Sequence, residues 1–289
     1  DNESSWILLR IIAGVGFGLN WIITEAWLGQ IVSSKNRTKA VSLYVLSMAL
    51  GFSTGPIIIW STGFLSILPF FLIGAIEVIS VLPLLLMKKQ SFGRIDKRMR
   101  SPLFLISKAP TIATACILVG FVDIALISLF PVLVSRTDDA IINLVFILPI
   151  TMGIGNFVLQ YPIASLADKI GKRKTANFIT IIGTICCACV PFNLNSLVLA
   201  TSLTFVGCGL LYCMYTISLS MLSERYKGGQ LIAANASFVI LFEIANLIGP
   251  PVAGKMIDYS LMYGLSFFLI LSGGSYLVVA KIRDYQKRN

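Results

Sequence analysis

The segment YPIASLADKIGKRK, residues 161–174, interrupts a long apolar stretch of this chain with a short charged passage. The apolar run ends at Leu166, and a single acid, Asp168, follows it. The passage then places four bases within six residues: Lys169, Lys172, Arg173 and Lys174. The chain is apolar again over residues 175–192, TANFITIIGTICCACVPF. Two apolar stretches joined by so short a basic turn predict two membrane helices whose connection lies on the cytoplasmic side.

The composition indicates an integral membrane protein. Charged residues make up 12% of the 289 residues and hydrophobic residues 56%, with a mean hydropathy of +0.87. Soluble domains carry about 25% charged residues, so this chain lacks the polar surface that a water-soluble fold of its length needs. Because a spanning helix satisfies its own backbone groups in lipid, we predict an all-α, polytopic helical bundle surrounded by a lipid bilayer.

Nine stretches are apolar enough to span a bilayer core, which takes about 20 helical residues. They are Trp6–Ile31, Val41–Trp60, Phe64–Met87, Pro110–Val134, Ile141–Leu166, Thr175–Phe192, Leu197–Met221, Leu231–Met256 and Leu261–Ala280. Of the 23 Lys and Arg residues, 20 fall on one side of the alternating connections, and the other side holds Arg136. By the positive-inside rule the N terminus is outside and the C terminus is cytoplasmic. The net charge of +10 therefore marks sidedness, and we expect no nucleic-acid partner.

The residue content argues against several kinds of chemistry. The chain has no His, which removes His-based zinc sites and Ser-His-Asp catalysis. Its six cysteines all lie within apolar runs, and the spacing in CCAC, residues 186–189, fits no zinc pattern. The phosphate-binding motif G-x-x-x-x-G-K-[ST] occurs nowhere in the sequence. We expect no metal, no cofactor and no enzymatic activity, and the scattered acids argue against a membrane-embedded lipid enzyme.

The sequence also contains an internal repeat. VGFGL at 15–19, in the first span, resembles VGCGL at 206–210, in the seventh. In both copies a basic connection follows, and the next span carries a Gly-Pro pair. Parallel repeats about an axis along the membrane normal are typical of one large class of transporters. The small and proline residues of the second and eighth spans predict helix-packing positions: Gly51, Gly55, Pro56, Gly249 and Pro250.

Several motifs resemble signatures of the major facilitator superfamily. ASLADKIGKRK, residues 164–174, resembles its cytoplasmic signature. The matching positions are Leu166, Asp168, Gly171, Lys172 and Arg173. RIIAGVG, residues 10–16, is similar to the fourth-helix signature, and GFSTGP, residues 51–56, to the fifth-helix signature of exporters without its trailing Gly-Gly. TEAWL at 24–28 and LQYPIASLAD at 159–168 look like an uncharacterised bacterial branch of the family.

The resemblance implies which helices the chain contains. Its nine spans correspond to the family's fourth to twelfth helices, with 1–87 as a partial N-terminal bundle, 88–109 as a basic cytoplasmic loop and 110–289 as a six-helix C-terminal bundle. Because the first residue is Asp1 and three helices are missing, we expect either a fragment or an inactive remnant. Glu25 is then expected to pair with a base in the missing helices, which are an expected partner. We expect that these nine helices alone do not catalyse coupled transport.

The same resemblance assigns the charged turn to a cytoplasmic gate. Asp168 is expected to face the N terminus of the eighth span at Gly229-Gln230, whose free N–H groups favour an anion. Lys172 and Arg173 are expected to pair with acids on neighbouring helix ends, with Glu224 as the first candidate. The alternative is that the turn only marks sidedness and that Asp168 is solvated.

Ionisable residues inside the spans are costly in lipid and are therefore functional candidates. Asp123 and Glu243 lie near the middle of the fourth and eighth spans, where they bind a proton or the substrate, or else make polar packing contacts. Arg10, near the outer end of the first span, binds an anion or aids proton coupling, or else extends to the interface. Four further residues suit contacts with a small organic solute, or else pack between helices: Asn20, Trp21, Tyr212 and Tyr215.

These features predict a secondary active transporter of a small organic solute in a bacterial inner membrane. It is expected to work by alternating access and to be coupled to protons. The sequence leaves the substrate open. It also leaves import and export open, because the exporter signature is incomplete.

Overall fold

The computed structural model describes residues 3–31, 37–63, 67–85, 103–226 and 229–288, and over those residues it contains helices and no strands. The helices are α1 (Glu3–Ile31), α2 (Arg37–Thr62), α3 (Leu68–Leu85), α4 (Phe104–Lys108), α5 (Pro110–Ser135), α6 (Leu144–Ile170), α7 (Lys172–Cys189), α8 (Leu197–Arg225), α9 (Gly229–Tyr259) and α10 (Leu261–Arg288). A 3-10 turn, Val190–Asn193, continues α7. The predicted all-α fold is confirmed.

Every predicted span overlaps one of the long helices. Within the described ranges, six helices, α5 to α10, are long and apolar enough to cross a membrane. Shorter apolar segments lie in α1, at Ser5–Gly18, and in α3, at Leu68–Leu82. The predicted central loop, 88–109, falls mostly outside the described residues, and its last part forms the short helix α4.

The core of the protein lies among α5 to α10. The most extensive helix pairings join α6 to α8, α5 to α9, and α7 to α8, and α10 packs against α5, α7 and α9. Large side chains such as Phe130, Phe238 and Tyr276 are completely buried in this bundle. On its outside, α2 packs against α6, α1 against α9, and α3 against α2. The two candidate sites described below therefore lie on helices that each pack against several other helices.

Glycines permit two of these pairings to be close. A Cβ atom placed on Gly249 of α9 would lie 2.8 Å from the carbonyl oxygen of Phe121 on α5. A Cβ atom on Gly209 of α8 would lie 2.7 Å from the carbonyl oxygen of Gly155 on α6. Both distances are too short for close-packed atoms, so larger residues there would push the helices apart. Gly249 therefore occupies a tight helix contact, at a position that the repeat had suggested for packing.

The remaining predicted packing positions differ from Gly249. Among the described atoms, none lies within 4 Å of a Cβ placed on Gly51 or Gly55 of α2. Pro250 is half-buried within α9, and the side chain of Pro56 lies outside the described part of the chain. A packing role for the α2 positions stays a prediction.

Candidate functional site

The charged turn contains a single residue outside the helices. α6 ends immediately before Gly171 and α7 begins immediately after it, and Gly171 has a φ of 97°. Residues with a Cβ rarely adopt such a φ, so glycine permits a reversal that would strain other residues. The turn thereby places Lys172 and Arg173 at the start of α7. Together with Arg225 and Arg283 on α8 and α10, they define what we call the basic end of the bundle.

Both bases at the start of α7 are paired with acids on other helices. The Lys172 ammonium donates to the Glu224 carboxylate of α8, and it lies 2.5 Å from Ser220 Oγ on the same helix. The Arg173 guanidinium lies 2.5 Å from the Asp284 carboxylate of α10. Glu224 is the acid that the sequence indicated. Sequence reasoning missed Asp284, although it is the only acid in the basic C-terminal tail.

The ion pairs border a cleft of about 1000 Å³ at the basic end, which is formed by the ends of α5, α6, α7, α8 and α10. Asp168 lines this cleft and is exposed, whereas Leu166 is half-buried. The predicted contact between Asp168 and the start of α9 adjoins residues 227–228, which lie outside the described ranges, so it stays a prediction. The side chain of Glu25 also lies outside the described part of α1.

A second group of polar side chains lies inside the bundle, where α5, α8 and α9 meet. The Tyr212 hydroxyl of α8 lies beside the Asp123 carboxyl of α5, close enough for the two groups to interact. The Glu243 carboxyl of α9 is close enough to interact electrostatically with Asp123. Asn246, one helical turn further along α9, lies beside Glu243. We call Asp123, Tyr212, Glu243 and Asn246 the polar cluster.

The polar cluster has unused hydrogen-bonding capacity. Asn246 is 9% exposed, and its Oδ1 atom has no hydrogen-bond partner among the described residues. Two carboxyl groups, a phenol and an amide can exchange a proton and bind a polar group of a solute. The described residues hold no group of three or more His, Cys, Asp or Glu side chains that could share a metal ion.

A row of aromatic rings links α1 to the same region. Trp21 of α1 is 9% exposed, and its ring centroid lies 5.9 Å from that of Phe242 on α9. The Phe242 centroid lies 5.3 Å from that of Tyr215 on α8, in an edge-to-face arrangement, and Phe242 directly precedes Glu243. The structure thus joins two aromatic candidates, Trp21 and Tyr215, through Phe242. Sequence reasoning missed Phe242, because hydropathy alone marks it as another apolar helix residue.

The two other candidates of α1 make contacts away from this row. The Asn20 Oδ1 atom accepts a hydrogen bond of 3.3 Å from Thr24 Oγ1. Arg10 is exposed, and its guanidinium carbon lies 5.4 Å from the centroid of the Trp6 ring. Neither contact connects Asn20 or Arg10 to the polar cluster, and their roles stay predictions.

The end of the bundle opposite the basic end carries an ion pair that the sequence did not indicate. Arg136 Nη1 at the end of α5 lies 2.8 Å from Asp258 Oδ1 near the end of α9. Arg136 is the one base on the sparsely charged side of the connections. The pair joins the two helices that carry Asp123 and Glu243.

Comparisons with known proteins all indicate the same protein family. A sequence profile described as Major Facilitator Superfamily matches residues 112–287, which is more than half of the chain. The uncharacterized MFS-type transporter YfkF of Bacillus subtilis (strain 168) is 26% identical over 281 residues, covering 92% of this chain and 69% of the relative. The uncharacterized MFS-type transporter YcaD of Escherichia fergusonii is 26% identical, covering 88% of this chain and 66% of the relative. The chain therefore spans about two thirds of the length of these curated relatives.

Proposed function

Because this chain belongs to the Major Facilitator Superfamily of membrane transporters, we propose that it moves a small organic solute across a bacterial inner membrane by proton-coupled alternating access. The observation that carries the proposal is the proximity of Tyr212 to Asp123, with Glu243 close to Asp123 as well, within three apolar helices. An ionisable side chain at such a depth costs several kcal/mol unless it is paired or hydrated. Two acids placed together there support a functional role.

In the proposed cycle, Asp123 takes up a proton on one side of the membrane and releases it on the other. The Tyr212 hydroxyl donates a hydrogen bond to the Asp123 carboxylate when that group is charged. Glu243 contributes because the protonation of one of two interacting acids changes the charge that the other experiences. A solute that donates a hydrogen bond competes with Tyr212 for the carboxylate. This competition would link solute binding to the protonation of Asp123.

The aromatic row supports an organic solute rather than a bare ion. Trp21, Phe242 and Tyr215 present ring faces and edges beside the polar cluster. Such rings bury apolar surface and stack on planar groups. The solute class that fits is a small molecule with an apolar, planar part and at least one polar group.

The basic end supplies the proposed gate. In this proposal it faces the cytoplasm, following the positive-inside rule. The pairs Lys172–Glu224 and Arg173–Asp284 hold the start of α7 to α8 and α10. Asp168 lines the cleft between these helix ends, so a change in its charge would alter the balance between the open and closed forms of that cleft.

Solute binding tests the proposal. The complete gene product that contains this chain is purified in lipid nanodiscs, and its thermal unfolding is followed with a panel of small organic solutes. We expect some solutes to raise the melting temperature by mass action. Tyr212→Phe should remove this increase, and Tyr259→Phe, a change at a tyrosine with 92% exposure, should not. If the active solutes stabilise the Tyr212→Phe variant as much as the parent, the polar cluster is not the binding site.

A further inference from the structure

Two buried thiols face each other between α7 and α8, and the proposed transport chemistry uses neither of them. Cys187 Sγ of α7 lies 3.6 Å from Cys208 Sγ of α8. Cys187 has no exposed surface and Cys208 is 1% exposed. Among the six free cysteines, all of which the structure describes, this is the sulfur–sulfur contact that it records.

The helix backbones are close together at the level of these thiols. A Cβ atom placed on Gly207 would lie 2.9 Å from the backbone nitrogen of Cys187 and 3.1 Å from the Cβ of Cys186. A Cβ atom on Gly183, one helical turn before Cys187, would lie 3.1 Å from the carbonyl oxygen of Gly207. A disulfide needs Cα atoms within about 7 Å and Cβ atoms about 4 Å apart. Glycines on both helices permit the close approach that such a bond requires.

We propose that Cys187 and Cys208 are a covalent modification site, at which an intramolecular disulfide joins α7 to α8. The surroundings favour this product over a bound metal ion. A disulfide is neutral and needs no further ligands, whereas a metal site would need two thiolates and additional donors in an apolar environment. The disulfide therefore suits a site from which water is excluded.

The bond forms by exchange with a lipophilic aromatic disulfide, which is the oxidant. One thiol, as its thiolate, attacks a reagent sulfur, so that a protein–reagent mixed disulfide forms and one aromatic thiol leaves. The second protein thiolate then attacks the protein sulfur of the mixed disulfide and releases the second aromatic thiol. The two protein thiols lose two electrons and two protons in total. The reagent gains both, and it is reduced to two aromatic thiols.

The position of the bond gives it a consequence for α8. Cys208 and Tyr212 are four residues apart, so they lie on neighbouring turns of one helix face. A disulfide to α7 would hold the part of α8 that presents Tyr212 to Asp123. An effect on transport rests on the proposed function, but formation of the bond does not. The experiment therefore detects the disulfide bond directly and does not measure transport.

The test uses a chain that keeps only Cys187 and Cys208, treated in nanodiscs with 4,4′-dithiodipyridine. The cysteines replaced by Ala in this chain are Cys116, Cys186, Cys189 and Cys213. We expect two pyridinethione molecules to be released per chain, because each exchange step releases one. We also expect the mass to fall by two hydrogen atoms and the peptides that contain Cys187 and Cys208 to be linked until a reductant is added. A pyridyl group retained on either sulfur, or two unreacted thiols, would overturn the proposal.

A matched control keeps Cys189 and Cys208 and carries Cys187→Ala instead. Residues two positions apart on a helix point about 200° apart, so Cys189 faces away from α8 and should not link to Cys208. The parent chain with all six cysteines provides the second measurement, which does not depend on how the substituted chains fold. Peptide mapping of the oxidised parent should find the bond between Cys187 and Cys208. A bond from Cys208 to Cys186 or Cys189 instead would contradict the inference.

Discussion

The Arg173 guanidinium of α7 lies 2.5 Å from the Asp284 carboxylate of α10, across 111 residues of sequence. Its neighbour Lys172 pairs in a different direction, with Glu224 at the end of α8. Two adjacent bases thus connect the start of one helix to the ends of two others. Gly171 permits these contacts, because its positive φ lets the chain reverse direction and begin α7 directly after α6.

The Arg173–Asp284 pair is expected to contribute a small, measurable coupling energy. The side chains are 38% and 43% exposed, so solvent screens their interaction and we expect about 0.5 kcal/mol. Arg173→Gln and Asp284→Asn should each destabilise the fold, and the double variant should cost less than their sum. A double-mutant cycle on the free energy of unfolding in mixed micelles measures this. Lys174→Gln is the control, since Lys174 is exposed. Strictly additive effects would show that the pair carries no coupling.

Asp168→Asn is expected to shift the balance between the two accessible forms of the transporter. Removing the charge from the basic cleft should change how fast a maleimide labels Met221→Cys, because Met221 also lines that cleft. The labelling is measured from each side of the membrane in a background without other cysteines. Asp139→Asn, at an exposed acid of the α5–α6 connection, is the matched control. Equal labelling rates for Asp168→Asn and the parent would leave the turn without a gating role.

Gly249→Ala is expected to loosen the α5–α9 contact that supports the polar cluster. The added Cβ would lie 2.8 Å from the Phe121 carbonyl oxygen, so the helices must separate. Overpacking of this kind costs about 1–3 kcal/mol in the free energy of unfolding. Gly274→Ala on α10 is the control, because a Cβ there has no described atom within 4 Å. Similar stabilities of the two variants would mean that α5 and α9 tolerate separation at this point.

The sequence predicted the helices well, because crossing lipid demands long apolar stretches whose charges lie at the ends. It also indicated Glu224, since that acid ends a span on the side where Lys172 begins another. It did not indicate Asp284 or Phe242. Their importance depends on which helix packs beside which, and hydropathy carries no such information. Both Asp123 and Tyr212 were candidates, but their proximity could not be predicted, because it also depends on which helices pack together.

The most direct test of the central claim follows protons and solute together in the same proteoliposomes. The complete gene product is reconstituted with a pH-sensitive dye inside, and a solute that passes the binding test is added under an imposed pH gradient. We predict saturable movement of the solute with a matching proton flux. Asp123→Asn should abolish the proton flux, and Glu77→Gln, at an exposed acid of α3, should leave it intact. Proton-coupled uptake that persists in the Asp123→Asn variant would contradict the account.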